Sequence, residues 1–351
     1  MRVVDYQRER LRAINASELI SRDVLLLDGG LATEVEKYNG VNLSEGSLWS
    51  ARLLLPQNAH LQQAIVNAHV QYYSSGADIV TTASYQASLD GLLREFQGDS
   101  KRAEKAIIKM LMKSVELAGI ARDSSWKGKD RTSSPKPLIA ASIGCYGAAL
   151  ADGSEYRGEY KLDVDELMAW HSSRFLTLSS HSQVDILIFE TIPCLREVEA
   201  IVCLLNAHTK MIEERNLKIV LAVACRSEFQ LNSGEPISKL TEMIQSIRCL
   251  ENLLGVGINC TNPKFVESLL LSFSCSCDKV VYPNSGEEWN ADQKRWERPN
   301  QSIKDSETDC PTDWNTYLPK WYNAGARIFG GCCRTTPDDI KHIRQYFQNV
   351  A

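Results

Sequence analysis

No run of apolar residues in this 351-residue sequence approaches the roughly 20 that a membrane-spanning helix requires. Basic residues are not in excess either, since the formal net charge is −5, and this argues against nucleic acid and anionic membranes as partners. The first ten residues, MRVVDYQRER, have no apolar stretch of the kind that begins a secretion signal. We therefore predict a cytoplasmic protein, monomeric by preference, that acts on small molecules.

Paired cysteine motifs are also missing, because none of the eleven cysteines stands in a CxxC pair. An odd number of cysteines in a chain with no export signal predicts reduced thiols and not a disulfide framework. Structural zinc sites commonly take their four ligands from CxxC pairs, so a site of that kind is disfavoured as well. Most of the cysteines are expected to be small core residues, and a few are candidate metal ligands.

Glycine-rich phosphate loops are a third absence, since neither GxGxxG nor GxxxxGK[ST] occurs. A doubly wound open sheet usually carries such a loop after its first strand, where this sequence has DGGL at residues 28–31. The doubly wound sheet is therefore the less favoured of two fold classes.

Eight short apolar segments alternate with eight longer amphipathic segments, and this predicts parallel strands joined by helices. Eight such units close a (β/α)₈ barrel of the TIM type, so we predict an α/β protein with a single barrel domain. The predicted strands are 24–28, 77–82, 138–144, 184–190, 218–225, 253–260, 278–284 and 326–333, and the predicted helices are 57–75, 101–122, 163–182, 195–213, 235–248, 263–274, 312–324 and 337–349.

The boundaries of this domain follow from the same pattern. We expect residues 1–23 to form an N-terminal segment and residues 24–349 to form the barrel. Two polar stretches, at about 123–137 and 285–311, are expected to be long loops. The second loop follows a predicted strand, which would place it over the mouth of the barrel.

Residues that carry chemistry fall at the carboxyl ends of the predicted strands, where barrels of this type place their active sites. Asp28 ends the first strand, Glu190 the fourth and Cys260 the sixth. Cys332 and Cys333 end the eighth. Three cysteines therefore converge on one rim, and three thiolates with an open fourth position match a catalytic zinc site.

Two neighbouring ligands require a turn in the backbone, because adjacent residues on a strand point to opposite faces. Gly330 and Gly331 are expected to supply that conformational freedom and to leave room for a close approach. Cys225 also ends a predicted strand and is a weaker candidate ligand. The alternative for each cysteine is a small buried core residue.

The charge of such a site favours thiol chemistry. Zn²⁺ with three thiolates is a net anion, so it acidifies water poorly, but it can hold a fourth thiol as thiolate. An anionic centre also attracts a cationic electrophile. The residues alone therefore suggest alkyl transfer to the thiol of a substrate.

Seven motifs in this chain resemble those of the homocysteine S-methyltransferases, a family of zinc-dependent barrel enzymes. The resemblance extends from about Leu25 to about Tyr346, and GGCCRT is its most specific motif. The motifs are DGGLATE (28–34), TTASYQ (81–86), SIGCYGA (142–148), FETIP (189–193), GINCT (257–261), YPNSG (282–286) and GGCCRT (330–335).

The resemblance implies one Zn²⁺ per chain, bound by Cys260, Cys332 and Cys333, through which these three cysteines serve catalysis. It also implies that Asp28 and Glu190 receive the ammonium group of homocysteine. Taken alone, each carboxylate would more commonly be a turn cap or an ion-pair partner.

Further substrate-binding residues follow from the same resemblance. Backbone amides around Gly29 and Gly30 are expected to meet the carboxylate of homocysteine. Asn284 is expected to orient Glu190 or the substrate, or else to hold the turn after the seventh strand. Three aromatic residues are candidates to face a sulfonium methyl donor through cation–π contacts: Tyr85, Tyr146 and Trp49.

The family divides by methyl donor. Betaine-using members carry Tyr after the glutamate, where this chain has Thr191, and the chain has no stretch for folate and cobalamin domains. Residues 144–160 resemble the branch that uses S-methylmethionine or S-adenosylmethionine. We predict transfer of a methyl group from S-methylmethionine to homocysteine, giving methionine, without cobalamin or folate.

Three alternatives remain open. Methylation of selenocysteine would use the same residues. A thiol-based redox or metal sensor would use Cys332 and Cys333 but would leave the two carboxylates without a role. A zinc-assisted lyase or hydrolase would need a histidine or carboxylate ligand, yet all six histidines fall in predicted helices.

Overall fold

Eight parallel strands form the centre of the fold, and this confirms the predicted barrel. The computed structural model of the chain describes residues 23–38, 41, 43, 48–129, 135–286, 288–290, 295–297 and 313–350. The barrel strands are β1 (Leu25–Leu26), β2 (Ile79–Thr81), β3 (Leu138–Gly144), β4 (Ile186–Ile192), β5 (Lys218–Val223), β6 (Leu253–Asn259), β7 (Asp278–Tyr282) and β10 (Ala326–Phe329). Two further strands, β8 (Glu288–Asn290) and β9 (Arg295–Glu297), form a separate antiparallel hairpin.

The strands are hydrogen-bonded in the order β1-β10-β7-β6-β5-β4-β3-β2, and the ring closes between β1 and β2. Leu27 pairs with Ile79 in a single parallel bridge at this seam. Asp78 strengthens the seam, because its Oδ2 accepts from the amide of Leu26 at 2.9 Å and its own amide donates to the Leu26 carbonyl at 2.8 Å. Asp28 lies at the carboxyl end of the same seam.

Alternate residues of the strands point into the barrel and fill it, as in other barrels of this type. The inward set includes Leu25, Ala140, Ile188 and Val280, which belong to one buried apolar cluster. The residues between them pack outward against the helices in a second, larger cluster. Because the lumen is filled, a ligand can enter only at the rim.

The helices agree with the predicted pattern apart from their bounds and some short additions. Short helices at Leu31–Val35, Leu89–Glu95 and Tyr146–Leu150 were missed, because five to seven residues are too few for a clear helical period. The α-helices are Leu31–Val35, Gln62–Ser74, Leu89–Glu95, Ser100–Trp126, Tyr146–Leu150, Val164–Ser180, Leu195–Ala207, Thr209–Glu214, Leu240–Gln245, Pro263–Leu271, Trp314–Asn323 and Pro337–Val350. The 3₁₀ helices are Trp49–Leu54, Pro56–Leu61, Ser154–Tyr156, Ile237–Lys239 and Leu250–Asn252.

The two predicted loops have different outcomes. The first prediction was wrong over residues 123–126, because the helix Ser100–Trp126 continues through them. Residues 130–134 and most of 285–311 lie outside the described residues, as do residues 1–22, so the predicted domain boundaries stay predictions. Within the described ranges, no helix combines the length and apolarity needed to cross a membrane.

Candidate active site

A cavity of about 470 Å³ opens at the carboxyl ends of the strands. Its volume lies in the range of small-molecule sites. The turns after β1, β2, β4, β6 and β10 all contribute to its wall, together with a segment that follows β3. The three cysteines, Asp28 and Glu190 all line this one cavity, as their positions at strand ends predict.

Cys260, Cys332 and Cys333 form a compact thiol cluster. Their Sγ atoms all lie within 4.8 Å of one another, and those of Cys260 and Cys333 are 3.6 Å apart. In a tetrahedral zinc site with Zn–S bonds of ~2.3 Å, neighbouring sulfurs are about 3.8 Å apart. The cluster could therefore hold a metal ion with little rearrangement.

Two left-handed backbone conformations shape this cluster, and neither belongs to a glycine. Cys260 has φ 47° at the end of β6, and Arg334 has φ 66° directly after the cysteine pair. Gly330 and Gly331 have no positive φ, so the prediction that they supply conformational freedom was wrong. Glycine is needed here because neighbouring strands approach closely: a Cβ at Gly330 would lie 2.7 Å from the Cβ of Leu27.

Thr335 holds the turn that carries the cysteine pair. Its hydroxyl donates to the Cys332 carbonyl at 2.8 Å, and its amide donates to the same oxygen at 3.2 Å. Thr335 also occupies the amide of Gly30, which donates to the Thr335 carbonyl at 3.1 Å and to its Oγ1 at 3.2 Å. The Gly30 amide therefore has partners within the protein, and the roles of the Gly29 and Gly30 amides toward a substrate carboxylate stay predictions.

The three thiols cannot all ionise freely at this spacing. Hydrogen bonds from Cys260 and Cys332 lower the pKa of Cys333 well below its ordinary value, because they stabilise its thiolate. The hydrogen bond with Cys332 is the largest of the causes that raise the pKa of Cys260. One thiolate is thus favoured by the protein alone, and three thiolates require a cation among them.

Asp28 lies in the wall beside β2, where Thr81 holds it. The Thr81 amide donates to Asp28 Oδ2 at 2.8 Å, and the Thr81 hydroxyl donates to Oδ1 at 3.0 Å. Burial raises the pKa of Asp28 well above its ordinary value, Thr81 opposes this shift, and the negative charge of Glu190 adds to it. A cationic group between Asp28 and Glu190 would relieve both effects.

Glu190 is buried near the end of β4, and burial raises its pKa to about 7. The hydroxyl of Ser142 donates to its carboxylate. Tyr282 lies close by, and its buried hydroxyl opposes the rise in the pKa of Glu190. Burial and the charge of Glu190 raise the pKa of Tyr282. Ser142 and Tyr282 were missed as site residues because serine and tyrosine within strands carry no specific signal.

The turn at Thr191, an irregularity near the end of β4, is clamped from β6, which lies two strands away in the sheet. Thr191 has φ 60°, an uncommon conformation for a β-branched residue. Asn259 holds it there: its Oδ1 accepts from the Thr191 amide at 2.8 Å, and its Nδ2 donates to the Thr191 hydroxyl at 2.8 Å. The side chain of Asn259 thereby sets the position of the residue beside Glu190.

Two of the three candidate aromatic residues line the cavity. Trp49 and Tyr85 meet edge to face with ring centroids 6.5 Å apart. Tyr146 does not reach the cavity wall, because its ring packs between Tyr160 and Trp170 at centroid distances of 5.3 and 5.1 Å. The structure therefore does not support a donor-binding role for Tyr146.

Asn284 holds the turn after β7, which was the second of its two predicted roles. Its side-chain Oδ1 accepts from the backbone amide of Gly286 at 3.0 Å, and its backbone amide donates to the Thr261 carbonyl at 3.2 Å. It is not part of the cavity wall, so a direct role toward the substrate is not supported. Cys225 is buried away from the thiol cluster, and burial raises its pKa.

The segment 152–160 contributes two residues that the sequence did not single out. Glu155 and Tyr156 both line the cavity. Burial raises the pKa of Glu155 to about 7. The stretch SEYRGEY that contains them marked the resemblance to one branch of the family, but no pattern in it separates inward from outward side chains.

Comparison with known proteins adds independent findings. A sequence model described as homocysteine S-methyltransferase matches residues 25–347. The chain is similar to homocysteine S-methyltransferase YbgG of Bacillus subtilis (strain 168), with 35% identity over 330 residues, which cover 93% of this chain and 95% of that protein. It is also similar to selenocysteine Se-methyltransferase of Brassica oleracea var. italica, with 38% identity over 332 residues, 91% of this chain and 88% of the relative.

Among solved structures, the chain is similar to the metallated form of the homocysteine methyltransferase MmuM from Escherichia coli. The identity is 33%, the TM-score is 0.72, and the match covers 94% of this chain and 98% of that one. Among the described residues, the group that could hold a metal ion contains three cysteines and neither a histidine nor a carboxylate, which disfavours the lyase and hydrolase alternative.

Proposed function

Because the chain belongs to the homocysteine S-methyltransferase family, we propose that its thiol cluster binds one Zn²⁺ and that S-methylmethionine is its methyl donor. The protein is a methyltransferase that transfers a methyl group to homocysteine and gives methionine. The observation that carries the proposal is the cluster of three thiols within 4.8 Å, in one cavity with two buried carboxylates.

Cys260, Cys332 and Cys333 would hold the metal. Zinc bound there supplies a positive centre that keeps the thiol of homocysteine deprotonated at neutral pH. The turn of Thr335 and the left-handed conformation of Cys260 keep the three sulfurs together before the metal binds. This preorganisation supports a catalytic site on rigid strand ends.

Asp28 and Glu190 are the proposed receptors for the ammonium group of homocysteine. Both carboxylates are buried, and they repel each other unless a positive charge lies between them. Thr81 and Ser142 take up part of their hydrogen-bonding capacity and fix their orientation. An ammonium group would use the acceptor sites that remain.

The transfer itself needs alignment more than acid–base catalysis. The homocysteine sulfur forms a bond to the methyl carbon while the bond from that carbon to the donor sulfonium breaks. The electron pair of the broken bond stays on the donor sulfur, which becomes a neutral thioether, and the thiol proton leaves to solvent. With S-methylmethionine both products are methionine. Trp49 and Tyr85 line the cavity and are the proposed cation–π contacts of the donor.

The partners, the cofactor requirement and the location of the protein are proposed from the same chemistry. Small molecules are the partners, and no cobalamin or folate is needed when the donor carries its own leaving group. A cytoplasmic location is proposed because a thiolate site requires a reducing compartment. The ten cysteines in the described ranges are all free thiols.

The first test is methionine formation from homocysteine and S-methylmethionine, measured together with zinc content by mass spectrometry. We expect about one zinc per chain in the wild type, and for Cys332→Ser a loss of most of the zinc and at least a hundredfold loss of activity. Cys203→Ser is the matched control, because Cys203 is an exposed free cysteine. Full activity in zinc-free protein would refute the metal proposal.

Selenocysteine is a second candidate acceptor, favoured by the similarity to a selenocysteine Se-methyltransferase. The same cavity and the same thiol cluster would serve a selenolate. Competition between the two acceptors at equal concentration, with one donor, gives their ratio of kcat/KM directly. A ratio in favour of homocysteine would support the main proposal.

A further inference from the structure

Glu155 brings a third carboxylate to the cavity, and one of its oxygens has no partner. Its Oε2 is shielded from solvent and makes no hydrogen bond with any residue in the described ranges. A buried carboxylate oxygen without a partner is costly, so such an atom in a ligand cavity points to a donor on the ligand. We propose that Glu155 binds the α-ammonium group of an amino-acid sulfonium donor, an inference that rests on the proposed function.

The backbone around Glu155 is held firmly, as a binding group requires. The side-chain amide of Asn232 donates to the Glu155 carbonyl at 2.8 Å. On the other side, the backbone packs on Gly147, where a Cβ would lie 2.5 Å from the Glu155 nitrogen. Asp152 closes the start of the segment by accepting from the Ser154 amide at 2.9 Å. The carboxylate is therefore presented by a fixed loop.

Glu155 occupies a different part of the cavity from the first two carboxylates. Asp28 has Glu190 as its charged neighbour, whereas the charged groups that act on Glu155 are Asp152 and Arg157. The thiol of Cys333 is affected by both Glu155 and Glu190. The reaction joins two α-amino acids, each with its own ammonium group. Two separate carboxylate positions match two ammonium groups, with Asp28 and Glu190 for the acceptor and Glu155 for the donor.

The charge changes of the reaction decide which cation of the donor Glu155 binds. The sulfonium loses its positive charge as the methyl group leaves, so a carboxylate beside it would stabilise the substrate more than the transition state. The α-ammonium keeps its charge throughout. A carboxylate on the ammonium contributes equally to both states, which lowers KM without lowering kcat.

The test compares Glu155→Gln with the wild type, using S-methylmethionine and its deaminated analogue 4-(dimethylsulfonio)butanoate. We expect the KM for S-methylmethionine to rise roughly 10- to 100-fold, the range of a lost charge-assisted hydrogen bond, with kcat changed less than threefold. The KM for homocysteine should stay within twofold. The inhibition constant of the analogue against S-methylmethionine should also stay within twofold, because the analogue has no ammonium.

Glu159→Gln is the matched control, since it removes the same charge from an exposed position on the same segment. Glu155→Asp, which keeps the charge on a shorter arm, should restore part of the affinity and covers the case in which Glu155→Gln folds poorly. An unchanged KM for S-methylmethionine, or an equal loss for donor and analogue, would overturn the inference. Failure of the proposed function is distinct, because then the wild type would form no methionine from S-methylmethionine.

Discussion

His69 lies on the helix Gln62–Ser74 with its ring fully buried, and neither ring nitrogen has a hydrogen-bond partner among the described residues. Burial lowers its pKa from 6.5 to about 4, because the imidazolium would lose its hydration. The folded state therefore keeps this histidine neutral, and the unfolded state binds more protons between these two values. Stability present above pH 6.5 is lost as the pH falls toward 4.

We expect this histidine alone to cost about 2 kcal/mol of the free energy of unfolding at pH 5 relative to pH 7. His69→Leu removes the titrating group. Between pH 7 and pH 5 the free energy of unfolding of this variant should therefore fall by about 2 kcal/mol less than that of the wild type. Urea unfolding at both pH values measures the difference. His60→Gln, at an exposed histidine, should keep the wild-type pH dependence, and an identical pH dependence for His69→Leu would contradict the explanation.

The turn at Thr191, near the end of β4, is held by a side chain from β6. Thr191 adopts φ 60°, and Asn259 bonds both its amide and its hydroxyl in this conformation. Strain of this kind costs on the order of 1–3 kcal/mol and persists where surrounding contacts impose it. It places Glu190 at the rim and turns the chain away directly afterwards.

Asn259→Ala should release this turn and displace Glu190. We expect a loss of about 1–3 kcal/mol in the free energy of unfolding, and roughly a tenfold rise in the KM for homocysteine because its ammonium would lose a well-placed carboxylate. Asn252→Ala is the matched control, because Asn252 is also buried and its side-chain amide donates to the Leu217 carbonyl at 2.9 Å. Leu217 does not line the cavity, whereas Thr191, the partner of Asn259, does. Asn252→Ala should lose stability while its KM for homocysteine stays unchanged. Equal KM values for homocysteine in the two variants would contradict the proposal that Asn259 positions Glu190 through Thr191.

The barrel closes through contacts between its last helix and its first two strands. Arg344, on the last helix Pro337–Val350, donates from Nε to the Gly76 carbonyl at 3.0 Å and pairs with the carboxylate of Asp78. Asp78 in turn bonds the amide of Leu26 at 2.9 Å. The last helix thereby fastens the seam between β1 and β2 at the end of the barrel opposite the cavity.

Arg344→Gln should destabilise the protein by roughly 3 kcal/mol, because it removes the ion pair between Arg344 and the mostly buried carboxylate of Asp78. Since the seam is fastened far from the thiol cluster, zinc content and the KM for homocysteine should be unchanged in the folded fraction. Lys341→Gln, which removes a charge from an exposed position of the same helix, serves as the control. If fully folded Arg344→Gln protein lost zinc, the prediction would be wrong, because the seam and the thiol cluster would then be coupled.

Much of this architecture is determined by the sequence itself. The alternation of buried strands and amphipathic helices specifies the barrel, because each period reports which faces of an element are buried. The same alternation places Asp28, Glu190 and the three cysteines at one rim, since parallel strands all end on the same side. The family followed from motifs at those strand ends and is confirmed by the match over residues 25–347.

Only the tertiary structure decided how neighbouring side chains share these positions. The amide of Gly30 bonds Thr335, which lies 305 residues further along the chain, and Tyr146 turns from the cavity to pack with Tyr160 and Trp170. Glu155 enters the cavity because its segment is anchored by the distant Asn232. Local periodicity reports burial but not which buried groups meet, because those pairings depend on how all the loops of the rim pack at once.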